Sequence, residues 1–210
     1  MWVIGLTGNF GTGKSTVAKM LVDFGAVLIN ADEVGHQLLR SNSQIHNELL
    51  NVFGPDILDA NSEIDRRKLG KIAFQSAEGT LWLNQIMGPM IREVIQGKIE
   101  EYRQLGTKVI VLESALMFRS RWKTIVQEVW MTIAPLDVII SRLTGQRGYN
   151  EEEIINRLNR QMTPWEMLNQ ADLVIDTNCS LLELHNKVSD LWMELIQRIQ
   201  EASKIKTKLE

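Results

Sequence analysis

Cysteine is almost absent from this chain: its 210 residues contain only Cys179. One thiol excludes an internal disulfide framework and a cysteine metal cluster, and it predicts a reducing compartment, the cytoplasm. Histidine is scarce as well, and His36, His46 and His185 lie too far apart to show metal-ligand spacing. No excess of positive charge exists. The 23 Lys and Arg stand against 26 Asp and Glu, a net charge of −3, so no global basic field draws the chain to nucleic acid or to an anionic membrane. Long apolar runs are also missing, and none can span a bilayer. The first apolar run has no basic region before it and ends at a glycine-rich loop, which predicts a buried strand and not a signal peptide. No low-complexity linker or internal repeat occurs. With 44% hydrophobic and 23% charged residues, the chain reads as a globular protein with one core, or a core carrying an inserted subdomain.

What is present is one dense motif. Gly8-Asn9-Phe10-Gly11-Thr12-Gly13-Lys14-Ser15 fills every fixed position of the phosphate-loop pattern G-x-x-x-x-G-K-[ST]. The apolar run Trp2 to Thr7 precedes it, and Thr16 to Val22 follows with apolar positions three and four apart. Strand, glycine loop and helix start is the context this motif requires. Small residues let backbone N–H groups curl around phosphate oxygens, and the helix N-terminus adds partial positive charge. Lys14 can then reach the β- and γ-phosphates of a nucleotide, and the Ser15 hydroxyl can ligate Mg²⁺. The loop from Gly8 to Thr16 is therefore the expected nucleotide-binding segment.

Further strands are expected at Ala26–Ile29, Lys108–Glu113, Val129–Ile133 and Leu173–Asp176. From about Glu33 to Leu105, helical periodicity replaces them, with interruptions at Phe53-Gly54-Pro55 and Met87-Gly88-Pro89. Pro89 suits the first turn of a helix running to Ile99, and Pro135 the start of one from Leu136 to Leu143. Asn150 with Glu153, and Ser180 with Glu183, read as capping pairs, and the tail beyond about Glu201 as frayed. Strands alternating with helices predict an α/β fold: a three-layer phosphate-loop architecture with a short parallel sheet, a helical acceptor insertion and a lid. The expected parts are a discontinuous nucleotide core at 1–37 and 107–203, the insertion at 38–106, a lid at 144–163 within the core, and a tail at 204–210.

Other residues carry chemistry. Asp32 follows the second strand, on the side of the sheet where loops gather around one crevice. It suits a carboxylate that takes a proton from an attacking hydroxyl, and equally an N-cap for the next helix. Glu113 ends an apolar strand, as an acid near Mg²⁺ does, or as a solvated strand end does. Arg142 and Arg147 flank a glycine-containing break and suit a flap that neutralises phosphoryl charge, whereas Arg157 and Arg160 read as a solvated face. Arg66, Arg67 and Lys68 form a basic cluster that either holds an anionic acceptor or faces water. Trp82, Trp122, Trp165 and Trp192 sit amid helical apolar spacing and read as packing residues.

In this order the elements resemble the dephospho-coenzyme A kinase family over about Val3 to Val188. Gly5 to Ala18 resembles G-L-T-G-x-I-G-S-G-K-S-T-V-A, and Asn30-Ala31-Asp32 stands where the family has D-A-D. Phe53-Gly54 and Ile64 to Leu69 match F-G and L-D-R-x-x-L. Arg142-Leu143, Arg147 and Gln161 follow a lid pattern of spaced arginines ending in glutamine, and Ala171 to Ile175 with Asn178 matches A-D-x-V-I-x-N. The resemblance implies ATP-dependent phosphorylation of the ribose 3′-hydroxyl of dephospho-coenzyme A, a small-molecule substrate. It implies Asp32 as base, Arg66 on the acceptor side, and Arg142 and Arg147 on the phosphates. Asn178 is carried over to the nucleotide side from the last motif. Three departures stand out: Asn30 for an acid, Gly88 for the histidine of an H-P pair, and Ser114 to Arg119 for P-L-L-F-E. They leave open a shifted acceptor or a weakly active relative that binds coenzyme A. Another small-molecule or nucleotide kinase is the nearest alternative. Asp32-Glu33-Val34-Gly35 fits the D-x-x-G of GTPases, but no N-K-x-D occurs.

Overall fold

In the computed structural model, which describes residues 1–118 and 122–209 (with side chains except at 123, 146, 147 and 205–209), the chain forms two units. One comprises Met1–Ile29 with Leu105–Glu210, the other Asn30–Gln104.

The first unit is built on a five-stranded sheet. Its strands are β1 (Trp2–Gly8), β2 (Val27–Asn30), β3 (Val109–Glu113), β4 (Glu128–Ile133) and β5 (Leu173–Asp176), in the order β2-β3-β1-β4-β5. β1 pairs in parallel with both β3 and β4, and β4 with β5. The central strands are covered on both faces, which is why they read as unbroken apolar runs. The two edge strands have four residues each and expose Leu28 and Val174. On one face, α1 (Lys14–Asp23) and α9 (Leu181–Leu209) close a core of Ile4, Leu6, Val17, Leu21, Val111, Trp130 and Val188. Burying each such aliphatic side chain contributes about 1.5–3 kcal/mol. A smaller cluster of Ile139, Leu143 and Ile154 joins α6 (Leu136–Arg147) to α7 (Glu151–Leu158) and takes in Phe10 and Tyr149.

The start of β4 is tied with polar groups. The Asp172 carboxylate accepts the Val129 N–H at 2.7 Å, which sets β5 beside β4. At the same end of β4, the buried Glu128 takes two hydrogen bonds from the Arg198 guanidinium of α9, at 3.0 and 3.1 Å, and one from the Trp2 indole at 3.2 Å.

The second unit is helical: α2 (Ala31–Ser41), α3 (Ser43–Phe53), α4 (Arg66–Ala73) and α5 (Ala77–Gln104). Leu38, Ile45, Leu49, Ile57, Leu69, Met87 and Ile95 are buried. The expected interruption at Met87-Gly88-Pro89 is absent, and α5 runs through Pro89 without a break. Gly88 has no Cβ to clash with the proline ring, and position 85, whose carbonyl loses its partner, is exposed to water. α6 likewise continues past Leu143 and stops only at Gly148, which adopts the left-handed conformation. The capping pairs form as expected at Asn150 with Glu153 and at Ser180 with Glu183. The tail does not fray at Glu201: no glycine or proline interrupts 181–209, and α9 continues to Leu209. Trp122 is buried, but Trp165 is 73% exposed and is no core residue. α8 (Pro164–Leu168), which carries it, is a single short turn sealed by a Thr163–Glu166 capping box.

Candidate active site

The phosphate loop leaves β1 at Gly8 and enters α1 at Lys14. Gly13, with φ 86°, occupies the N-cap position in a left-handed conformation. At Gly8, φ is 146° and a Cβ would lie 2.3 Å from Thr132 Oγ1 and 2.6 Å from the Thr132 carbonyl oxygen, so only glycine fits. Thr12 braces the turn: its hydroxyl reaches the Asn9 carbonyl at 2.7 Å and Thr132 Oγ1 at 2.8 Å. The Lys14 ammonium folds back and donates to the Gly8 carbonyl at 3.0 Å, which keeps it over the loop. The N–H groups of Gly11 and Gly13 meet no acceptor among the described residues. Such orphan donors beside a helix N-terminus fit phosphate oxygens. Phe10 differs, since its N–H donates to the side-chain oxygen of Gln161 at 2.8 Å.

Ser15 and Glu113 come together as their positions suggested. The Ser15 hydroxyl donates to Glu113 Oε1 at 3.2 Å, and Glu113 is buried at the end of β3 opposite Leu6 of β1. A hydroxyl and a carboxylate are the hard oxygen donors that Mg²⁺ takes. Among the described residues no group of three or more His, Cys, Asp or Glu side chains could hold a metal ion; one hydroxyl with one carboxylate is a donor set that would suit Mg²⁺ beside phosphates.

Arg142 is engaged within the core. Its guanidinium donates to Thr177 Oγ1 at 3.0 Å and to the Thr177 carbonyl at 2.6 Å. Thr177 in turn lies within hydrogen-bond reach of the Thr12 carbonyl at 3.0 Å and the Ile133 carbonyl at 3.1 Å. α6, the segment after β5 and the phosphate loop thus meet at one buried hydroxyl. Sequence reasoning passed over Thr177, although it lies directly between β5 and Asn178. Asn178 itself is exposed, and its N–H donates to the Asp176 carboxylate at 2.8 Å. Arg119 lies outside the described residues, as does the side chain of Arg147. Arg157 is exposed, as its spacing suggested, and its guanidinium also lies 4.1 Å from the centroid of the Phe10 ring.

Within the helical unit, the capping role open to Asp32 falls to Asn30, whose side chain accepts the Glu33 N–H at 3.0 Å. Asp32 stands exposed in the first turn of α2, and His36 follows one turn later. Burial, then the Arg66 charge, hold His36 below its ordinary value, with Asp32 pulling the other way. Arg66 begins α4 directly after Asp65, which caps that helix by accepting the Arg67 and Lys68 N–H groups.

A parallel sheet with a glycine loop closing onto a helix N-terminus, a serine–carboxylate pair beside it and an arginine-bearing helix pair define a phosphate-loop kinase. The particular family follows from sequence relationships. The family described as dephospho-CoA kinase matches residues 2–183. The dephospho-CoA kinase of Dehalococcoides mccartyi is 36% identical over 197 residues, covering 94% of this chain and 99% of that protein. The dephospho-CoA kinase of Corynebacterium diphtheriae is 37% identical over 200 residues, covering 95% and 100%. A crystal structure of a Thermus thermophilus protein superposes with a TM-score of 0.79 at 29% identity, covering 92% of this chain and 97% of that one. The chain belongs to the dephospho-CoA kinase family.

Proposed function

We propose that the chain transfers the γ-phosphoryl group of ATP to the ribose 3′-hydroxyl of dephospho-coenzyme A, giving coenzyme A and ADP. The observation that carries this reading is the phosphate loop with Ser15 against Glu113 in a chain of this family. Backbone N–H groups along Gly8 to Thr16 and the Lys14 ammonium hold the triphosphate, and Asn178 is assigned to the nucleotide side. Ser15 and Glu113 hold Mg²⁺, which when bound neutralises charge building on the phosphoryl oxygens. Asp32 orients the 3′-hydroxyl and takes its proton as that oxygen bonds to the γ-phosphorus and the bond to the β-phosphate oxygen breaks. Arg66 anchors an anionic part of the acceptor. Arg142 and Arg147 belong to the lid that excludes water and completes the charge balance. The single cysteine supports assigning the reaction to a reducing compartment, the cytoplasm; separately, no helix among the described residues is long and apolar enough to cross a membrane.

The test is incubation with ATP, Mg²⁺ and dephospho-coenzyme A, followed by mass spectrometry. Gain of one phosphate on the acceptor, localised to the ribose 3′ position, is expected. ATP consumption only with a different acceptor refutes the reading.

A further inference from the structure

Phe10 is the third residue of the phosphate loop, yet its side chain belongs to the apolar cluster of α6 and α7. The Tyr149 ring meets it edge-on, with centroids 5.2 Å apart, and the Arg157 guanidinium sits 4.1 Å from its centroid. Two hydrogen bonds fasten the same stretch. The Phe10 N–H donates to Gln161 Oε1 at 2.8 Å, and the Asn9 side-chain amide donates to the Met162 carbonyl at 3.1 Å. Two adjacent loop residues thus hold both ends of the segment from Tyr149 to Met162.

Two of the arginines of this region, Arg142 and Arg157, are engaged differently. Arg142 directs both terminal nitrogens at Thr177. Arg157 makes no hydrogen bond or ion pair among the described residues, and its contact is with an aromatic face. A guanidinium on a ring face keeps its in-plane N–H donors available for phosphate oxygens while the ring fixes where it stands. The Lys14 ammonium rests on the Gly8 carbonyl and so marks the end of the loop where the β- and γ-phosphates lie. Phe10 stands two residues after Gly8 in the same loop.

We propose that Arg157 is the lid cation that binds the terminal phosphate of ATP, and that Phe10 is its positioning residue. The loop sets the lid's charge through an aromatic ring, so the lid registers the loop's shape directly. This rests on the loop being the ATP site, and the test separates the two.

Binding of ATP and of ADP is measured by calorimetry, and turnover of dephospho-coenzyme A by ADP release, for the unaltered chain, Arg157→Gln, Arg157→Lys, Phe10→Leu and the double variant Phe10→Leu/Arg157→Gln. Arg157→Gln is expected to weaken ATP binding and to lower kcat about tenfold or more, because one charge-assisted donor set is lost, while ADP affinity stays within about twofold. Arg157→Lys recovers part of the loss. Phe10→Leu shifts the same quantities by about three- to tenfold, and the double variant matches Arg157→Gln within about twofold, since two residues acting through one contact are not additive. Equal weakening of ATP and ADP, or rates in Arg157→Gln equal to the unaltered chain, overturns the assignment of Arg157. Multiplicative losses in the double variant overturn the role of Phe10. If the unaltered chain binds neither nucleotide, the reading of the loop as an ATP site fails, and this proposal with it.

Discussion

Replacing Thr177 by valine tests the idea that one buried hydroxyl shapes the phosphate loop. Thr177 is 1% exposed, and valine preserves its shape. The hydroxyl has one proton and two carbonyl acceptors within reach, Thr12 and Ile133, and it accepts from Arg142. Valine therefore leaves one carbonyl without its hydrogen bond and one Arg142 N–H without its acceptor, although the 2.6 Å bond from Arg142 to the Thr177 carbonyl remains. An unsatisfied buried partner costs about 1–3 kcal/mol. For a chain of this size that lowers the thermal midpoint by roughly 2–12 °C. The effect also reaches function, because the Thr12 carbonyl lies inside the loop that holds phosphate. Thermal melts with and without ATP are the assay. Thr177→Val should melt lower and gain less from ATP, whereas Thr177→Ser, which keeps the hydroxyl, should lie closer to the unaltered chain. If valine melts with the unaltered chain and gains equally from ATP, the hydroxyl does not organise the loop and the reasoning is refuted.

Asp32→Asn should leave ATP binding nearly intact and lower phosphoryl transfer by about 10²–10⁴-fold; full activity in a coupled ADP assay removes the base assignment. Arg198→Met leaves buried Glu128 with only the Trp2 indole as a side-chain partner and should cost about 1–3 kcal/mol, read as a lower urea midpoint. An unmoved midpoint would show that the pair is dispensable. Because the His36 value is lowered from 6.5 in the folded chain, the unfolded chain binds the proton first, so stability falls as pH drops below 6.5 toward the folded value. His36→Asn should flatten that part of a melting-temperature profile; a slope equal to that of the unaltered chain contradicts the account.

The chain's local signals were readable wherever one physical requirement dominates a short stretch. Gly8 to Ser15 is legible because a loop that wraps phosphate tolerates so few side chains, and β1, β3 and β4 because two-sided burial demands unbroken apolar runs. Asn150 and Ser180 were legible because a capping box closes within four residues. Pro89 misled because proline's usual meaning depends on its neighbour, and Gly88 relieves the clash that would have ended α5. Thr177 and Gln161 were missed or undervalued for another reason. Their partners, Thr12 and Phe10, lie 165 and 151 residues away, and no local pattern marks a contact made across the whole chain. Arg157 belongs with them: its spacing on α7 resembles that of any solvated arginine, and only the fold brings Phe10 beneath it.

The bond between Thr177 and the Thr12 carbonyl also bears on synthesis. The glycine motif is synthesised before the hydroxyl that braces it, which follows 165 residues later. At about 5–20 residues per second, that interval is of the order of ten seconds or more. During it, the nascent chain carries the motif without the brace. Nucleotide is therefore expected to stabilise a chain that contains Thr177 more than one that stops before it.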